Sequence, residues 1–81
     1  MSVEQQVRTY ILQNFLFTDD ASALNNADSL LGKGIVDSTG ALELVQFLEQ
    51  QFGIKVGDAD ITPENLDSVN NILAYVNRKR V

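Results

Sequence analysis

No cysteine and no histidine occur in the sequence. The first absence removes disulfides and any thiolate nucleophile; the second removes the usual general base and metal ligand near neutral pH. No metal site is expected, and any thiol chemistry must use a thiol from elsewhere. Basic side chains are also scarce, six Lys and Arg against eleven Asp and Glu, for a net charge of −5. A nucleic-acid backbone would be repelled over most of such a surface, whereas partners with basic patches are favoured. The one basic cluster, Arg78-Lys79-Arg80, reads as cations at a helix C-terminus, where they complement the dipole. No apolar run approaches bilayer-spanning length, and no charged N-terminal region precedes one. A cytoplasmic protein without membrane insertion is expected.

What remains is a globular composition, 44% hydrophobic and 21% charged over 81 residues. That length suits one domain, residues 1–81, with a modest core, and a monomer is expected.

The pattern is all-α. Ser2-Val3-Glu4-Gln5 has capping-box form, and Val3, Val7, Tyr10, Ile11 and Phe15 then recur at helical spacing, ending a first helix near Phe15 or Leu16. From Phe17 to about Val36 come Asp19, Asp20, Ser22, Asn25, Asn26, Asp28, Ser29, Gly32 and Gly34, the composition of a loop. It is long enough to suggest a function. Leu24, Leu30, Leu31, Ile35 and Val36 should pin it across the core, with a helical turn near Asp20 to Leu24.

The strongest helix spans Ser38 to Phe52, with Asp37 as N-cap and Gly53 just past its end. Ala41, Leu44, Val45, Leu48 and Phe52 share its apolar arc, Glu43, Gln46 and Gln50 lie opposite, and Leu42 and Phe47 form the shoulders. The segment IKVGDADI reads as loop, Thr62-Pro63 as the start of a short helix through Leu66, and Asp67 or Ser68 as the cap of a last helix. Val69, Ile72, Leu73, Tyr75 and Val76 give that helix its apolar positions. The expectation is three longer helices, one short helix and a long first loop.

Few residue groups could carry chemistry. Asp58-Ala59-Asp60-Ile61-Thr62 has the spacing of an aspartyl-phosphate phosphatase loop, but that chemistry needs a sheet that nothing here builds. It also lacks the third acidic position, glycine and glutamate of a calcium loop, so both acids read as solvated. Asp19 and Asp20 have no cleft to separate their pKa values. An enzyme acting alone is therefore not expected.

The Asp37-Ser38 pair differs. With Asp37 as cap, Ser38 places its hydroxyl at the positive end of a long helix, where a phosphate ester would meet backbone N–H groups and the dipole. Gly40 should leave room for a partner or a bulky adduct, and Lys33 is near enough in sequence to help neutralise a phosphodiester. An ordinary capping pair fits the same residues, and so does phosphorylation by a kinase.

The stretch GIVDSTGALELVQFLEQQFGI, residues 34–54, resembles the modification-site helix of acyl carrier proteins and peptidyl carrier domains. SLLGKG before it and DITPENLDSVNNILAYV after it resemble the loop and last two helices of that fold, a four-helix carrier-protein bundle, so the likeness spans essentially the whole chain. It implies 4′-phosphopantetheine, donated by coenzyme A, on Ser38 beside the cap Asp37, holding a thioester-linked cargo. It also implies a non-catalytic carrier in lipid or secondary-metabolite biosynthesis. Its partners would be a phosphopantetheinyl transferase, an adenylate-forming ligase or acyltransferase, and a downstream synthase or transferase. Fatty-acid synthesis carriers typically read G-x-D-S-L with several acids following. Here G-I-V-D-S-T-G, with acids thinned to Glu43 and Glu49, looks more like D-alanyl carrier proteins and other free-standing carriers loaded by adenylate-forming ligases. Thr39, Leu42, Glu43 and Gln46 are the expected docking surface, with Glu43 and Glu49 steering basic partners. The competing reading is an unmodified helical interaction module that binds through Leu42 and Phe47.

Overall fold

The computed structural model describes residues 2–80, all of them in helices, turns and loops with no strand. Helix α1 (Val3–Ile11) starts with the expected reciprocal cap: Ser2 Oγ accepts from the Gln5 N–H at 3.1 Å, and Gln5 Oε1 accepts from the Ser2 N–H at 3.4 Å. The helix continues to Leu16, but Leu12–Leu16 is wound as a π-helix and closes at Phe17 in the left-handed region, φ 54°. Apolar spacing cannot distinguish the two windings over so short a stretch, because both return to the same face after four or five residues.

Helix α2 (Ser38–Phe52) has the expected limits, with Gly53 left-handed at φ 66° and its N–H donating to Glu49 O. Short helix α3 (Pro63–Leu66) and the last helix α4 (Val69–Arg80) follow. Ser68 rather than Asp67 caps α4, its Oγ accepting from the Asn71 N–H at 3.1 Å. Single 3-10 turns form at Ala21–Ala23, inside the helical turn expected near Asp20 to Leu24 and capped by Asp20, and at Asp58–Asp60. The core joins Val7 and Ile11 of α1, Leu44, Val45 and Leu48 of α2, and Val69, Ile72, Tyr75 and Val76 of α4.

The long loop is tied down as well as packed. Leu24, Leu30 and Val36 are buried in the core, whereas Leu31, expected as an anchor, is 38% exposed. The Asp67 carboxylate accepts from the Ser29 hydroxyl at 2.9 Å and from the Leu31 N–H at 3.0 Å, which explains why Asp67 does not cap α4. Arg8 fixes the other end of the loop, donating to Asn26 Oδ1 and to the Ala21 carbonyl.

The C-terminal cations are spent locally. Arg78 donates to Asn65 Oδ1 and lies near the Tyr75 ring, Arg80 lies near the Phe52 ring, and Lys79 faces Asp60 at 3.9 Å. Asp58 is exposed as expected, but Asp60 is half-buried and accepts from the Tyr75 hydroxyl at 2.9 Å. Burial, then this hydrogen bond and the charge of Asp60, push the Tyr75 phenol up to about 12. A phenol with a folded pKa above its ordinary value contributes fully while the unfolded chain is still protonated. Stability should therefore hold to about pH 10 and fall as pH rises towards 12. Urea melts across that range check this: Tyr75→Phe should remove most of the fall, and an undiminished fall would assign it to other groups.

No helix among the described residues is long and apolar enough to cross a membrane.

Candidate functional site

Helix α2 enters from extended backbone at Asp37, whose Oδ1 accepts from the Gly40 N–H at 2.7 Å while its carbonyl accepts from the Ala41 N–H at 2.8 Å. This leaves the N–H groups of Ser38 and Thr39 pointing out of the helix end without intrahelical partners. Ser38 is the first helical residue and is exposed, and its hydroxyl engages no described side chain or backbone group. Cap and serine thus divide the work. Asp37 satisfies the third N–H, while the Ser38 oxygen stays available at the positive end of a 15-residue helix.

Gly40 does not play the expected part. It is buried, and a Cβ there would lie 2.7 Å from Cε1 of Phe15 and 3.2 Å from Asp37 Oδ1. The missing side chain admits the aromatic ring that joins the end of the first helix to the start of α2, and leaves no approach for a partner. Lys33 is likewise committed elsewhere, its Nζ paired with Asp28 Oδ1 at 3.0 Å. The N–H of Asn25 and then Lys33 hold the Asp28 carboxyl below its ordinary range.

Beside Ser38 lies an apolar cavity of about 200 Å³, walled by Leu31 and Val36 of the loop, Ala41 of α2, and Ile61, Pro63 and Leu66 around α3. Between the facing helices there is no such space at Leu44, Leu48, Ile72 and Val76, which are fully buried as ordinary core. The cavity depends on the short α3 leaning towards the start of α2, a tertiary relation with no signal in periodicity.

Thr39, Leu42, Glu43 and Gln46 are all exposed and follow one another at helical spacing along α2. Of the two shoulders, Leu42 is 53% exposed, but Phe47 is half-buried with the Tyr10 ring stacked on it at 4.1 Å. Glu49 is also half-buried, its carboxylate accepting from the Val56 N–H at 3.0 Å, so it is poorly placed to steer a partner. One feature had no warning in the sequence: Phe17 is 82% exposed.

No protein-family model matches the chain. Individual proteins do. A D-alanyl carrier protein of Streptococcus suis (strain 98HAH33) is 33% identical over 76 residues, 94% of this chain and 92% of the relative. A probable acyl carrier protein of Serratia sp. (strain ATCC 39006) is 30% identical over 76 residues, 94% of this chain and 86% of its own length. The acyl carrier protein of Thermotoga maritima is 32% identical over 69 residues, covering 85% of this chain and 82% of the relative. With this identity over nearly full length, and with an all-helical fold to match, the chain belongs to the acyl carrier protein family, alongside acyl and D-alanyl carrier proteins.

Proposed function

We propose that Ser38 is the attachment point of a 4′-phosphopantetheine arm and that the chain carries an acyl or aminoacyl group as a thioester between enzymes. The observation that supports this most directly is the exposed, uncommitted Ser38 hydroxyl at the N-terminus of α2, beside an apolar cavity. When attached, the arm supplies the thiol that a chain without cysteine lacks. In the modification Ser38 Oγ forms the new bond to phosphorus and gives up its proton, and the nucleotide part of coenzyme A leaves. The base belongs to the transferase, because Asp37, the neighbouring carboxylate, is turned to the Gly40 N–H.

The N–H groups of Ser38 and Thr39 and the helix dipole then favour the phosphodiester anion, in place of Lys33, which is paired with Asp28. Thr39, Leu42, Glu43 and Gln46 form the stripe on which partner enzymes dock: the modifying transferase, an adenylate-forming ligase or acyltransferase, and a downstream synthase or transferase. Glu43 remains the exposed charge there. In this reading the chain contributes no catalytic group, and loading from coenzyme A fits work in the cytoplasm. The D-alanyl carriers among the relatives, together with the G-I-V-D-S-T-G entry to α2, favour an aminoacyl cargo activated by a ligase.

Incubation with a broad-specificity phosphopantetheinyl transferase and coenzyme A should add the mass of one arm, on the peptide that contains Ser38. An unchanged intact mass would sink the proposal. The competing interaction module, reduced to Leu42 because Phe47 is covered, predicts binding to a partner that is indifferent to the residue at position 38.

A further inference from the structure

A chain of hydrogen bonds leads to Ser38 from Asp67, at the junction of α3 and α4. The Asp67 carbonyl accepts from the Leu30 N–H at 2.6 Å, and the Leu30 carbonyl accepts from the N–H groups of Ile35 and Val36 at 2.9 and 3.1 Å. Val36 is followed directly by the cap Asp37 and by Ser38. Burial of the Leu30 and Val36 side chains holds the same segment from within the core.

The Asp67 side chain grips the turn between them. Its carboxylate accepts from the Ser29 hydroxyl at 2.9 Å and from the Leu31 N–H at 3.0 Å, and Ser29 Oγ accepts in turn from the Gly32 N–H at 2.9 Å. Gly32 suits this arrangement, because a Cβ there would lie 2.7 Å from Ser29 Oγ. Residues 31–34 are exposed, so polar bonds rather than apolar burial must keep them in place. Leu31, bonded to Asp67, and Leu66, next to it in the chain, are both walls of the cavity beside Ser38. The half-buried carboxylate serves neither as the cap of α4, which is Ser68, nor in an ion pair among the described residues.

We infer that Asp67 is a positioning residue for the modification of Ser38: it holds residues 29–36 in the shape that presents Asp37 and Ser38 to the transferase. This rests on the reading of Ser38 as the attachment point. Asp67 touches no reacting atom. Without its carboxylate the exposed turn would be ordered only as the transferase binds, so the cost falls on binding and not on the chemical step.

Initial rates of arm transfer from coenzyme A by a broad-specificity phosphopantetheinyl transferase, measured against carrier concentration, test this with Asp67→Ala, Asp67→Asn and Ser29→Ala. Rates are taken where melts show each variant at least about nine-tenths folded, so that unfolded chain cannot account for a change in KM. Asp67→Ala should raise KM about fivefold while kcat stays within about twofold. Asp67→Asn keeps an oxygen where Oδ1 accepts both bonds, and its KM should stay within about twofold of wild type. Ser29→Ala cuts the link to Gly32 and one bond to the carboxylate, so its KM should fall between the two, and it carries the test if Asp67→Ala does not fold. Hydrogen exchange supplies a local signature: in Asp67→Ala the Leu31 amide should lose its protection while those of Leu48 and Ile72 in the core keep theirs. Equal KM for wild type, Asp67→Ala and Ser29→Ala overturns the positioning role alone, as does an Asp67→Asn defect as large as that of alanine. A rise in KM that comes with lost protection at Leu48 and Ile72 also overturns it, by assigning the effect to stability. Absence of labelling in the wild type overturns the attachment site and the positioning role with it.

Discussion

Ser38→Ala is expected to abolish arm transfer completely while leaving the melting temperature within about 3 °C of wild type. The two halves of this result have separate causes. Stability should hold because the cap bond belongs to Asp37 and the Gly40 N–H, not to Ser38. The serine side chain is exposed and makes no hydrogen bond among the described residues, and alanine is a good helix former at the first helical position. Modification should vanish because the hydroxyl is itself the nucleophile, so no residual activity survives its removal. Thr39 supplies an internal control: its hydroxyl is also exposed, but it lies about 100° further round the helix. An arm found on Thr39, or the same mass gain in Ser38→Ala, would show that the transferase does not need position 38. Intact-mass spectrometry with peptide mapping and a thermal melt on the same preparation read both halves.

Leu48→Ala should have the largest effect on stability. Leu48 is fully buried at the centre of the α2 face, in one core with Leu44, Ile72 and Val76. Truncating a leucine in such a place costs about 2–5 kcal/mol, the lost transfer of its methyl groups plus the cavity left behind. A domain of 81 residues has a total stability of only about 4–12 kcal/mol. The variant should therefore melt at least about 10 °C lower, and it would be partly unfolded at 37 °C if the wild type lies near the lower bound. Leu42→Ala, the same change six residues earlier, should cost less than about 1 kcal/mol because Leu42 is more than half exposed. Urea titration of the two variants separates the faces of α2. A smaller loss for Leu48 than for Leu42 would reverse the orientation of the helix.

Much of the fold was legible because the signals are local. Ser2 with Gln5, Asp37 and Gly53 each satisfy or end a helix through groups within a few residues, so their type and spacing suffice. The buried arc of α2 was legible because a helix turns every residue by a fixed angle. The exposure of Thr39, Leu42, Glu43 and Gln46 followed from the same geometry. The readings that failed depended on what lay across from a residue. Gly40 faces Phe15, Lys33 faces Asp28, Phe47 lies under Tyr10 and Glu49 reaches Val56; the choice left open between Asp67 and Ser68 was likewise decided by Asp67 turning back to the loop at Ser29 and Leu31. Each partner is either on another segment or reached through a turn that composition does not specify.

The sequence by itself determined the helices and their caps, placed the serine at the positive end of α2, and removed any thiol or imidazole with which the chain could act alone. Only the tertiary structure decided what surrounds that serine. It filled the gap at Gly40 with an aromatic ring, opened a cavity towards α3, and left Phe17 in water. The reason is physical: backbone propensity and capping act over a few residues, whereas the free space and exposed surface at a site are set by segments that meet only when the core closes.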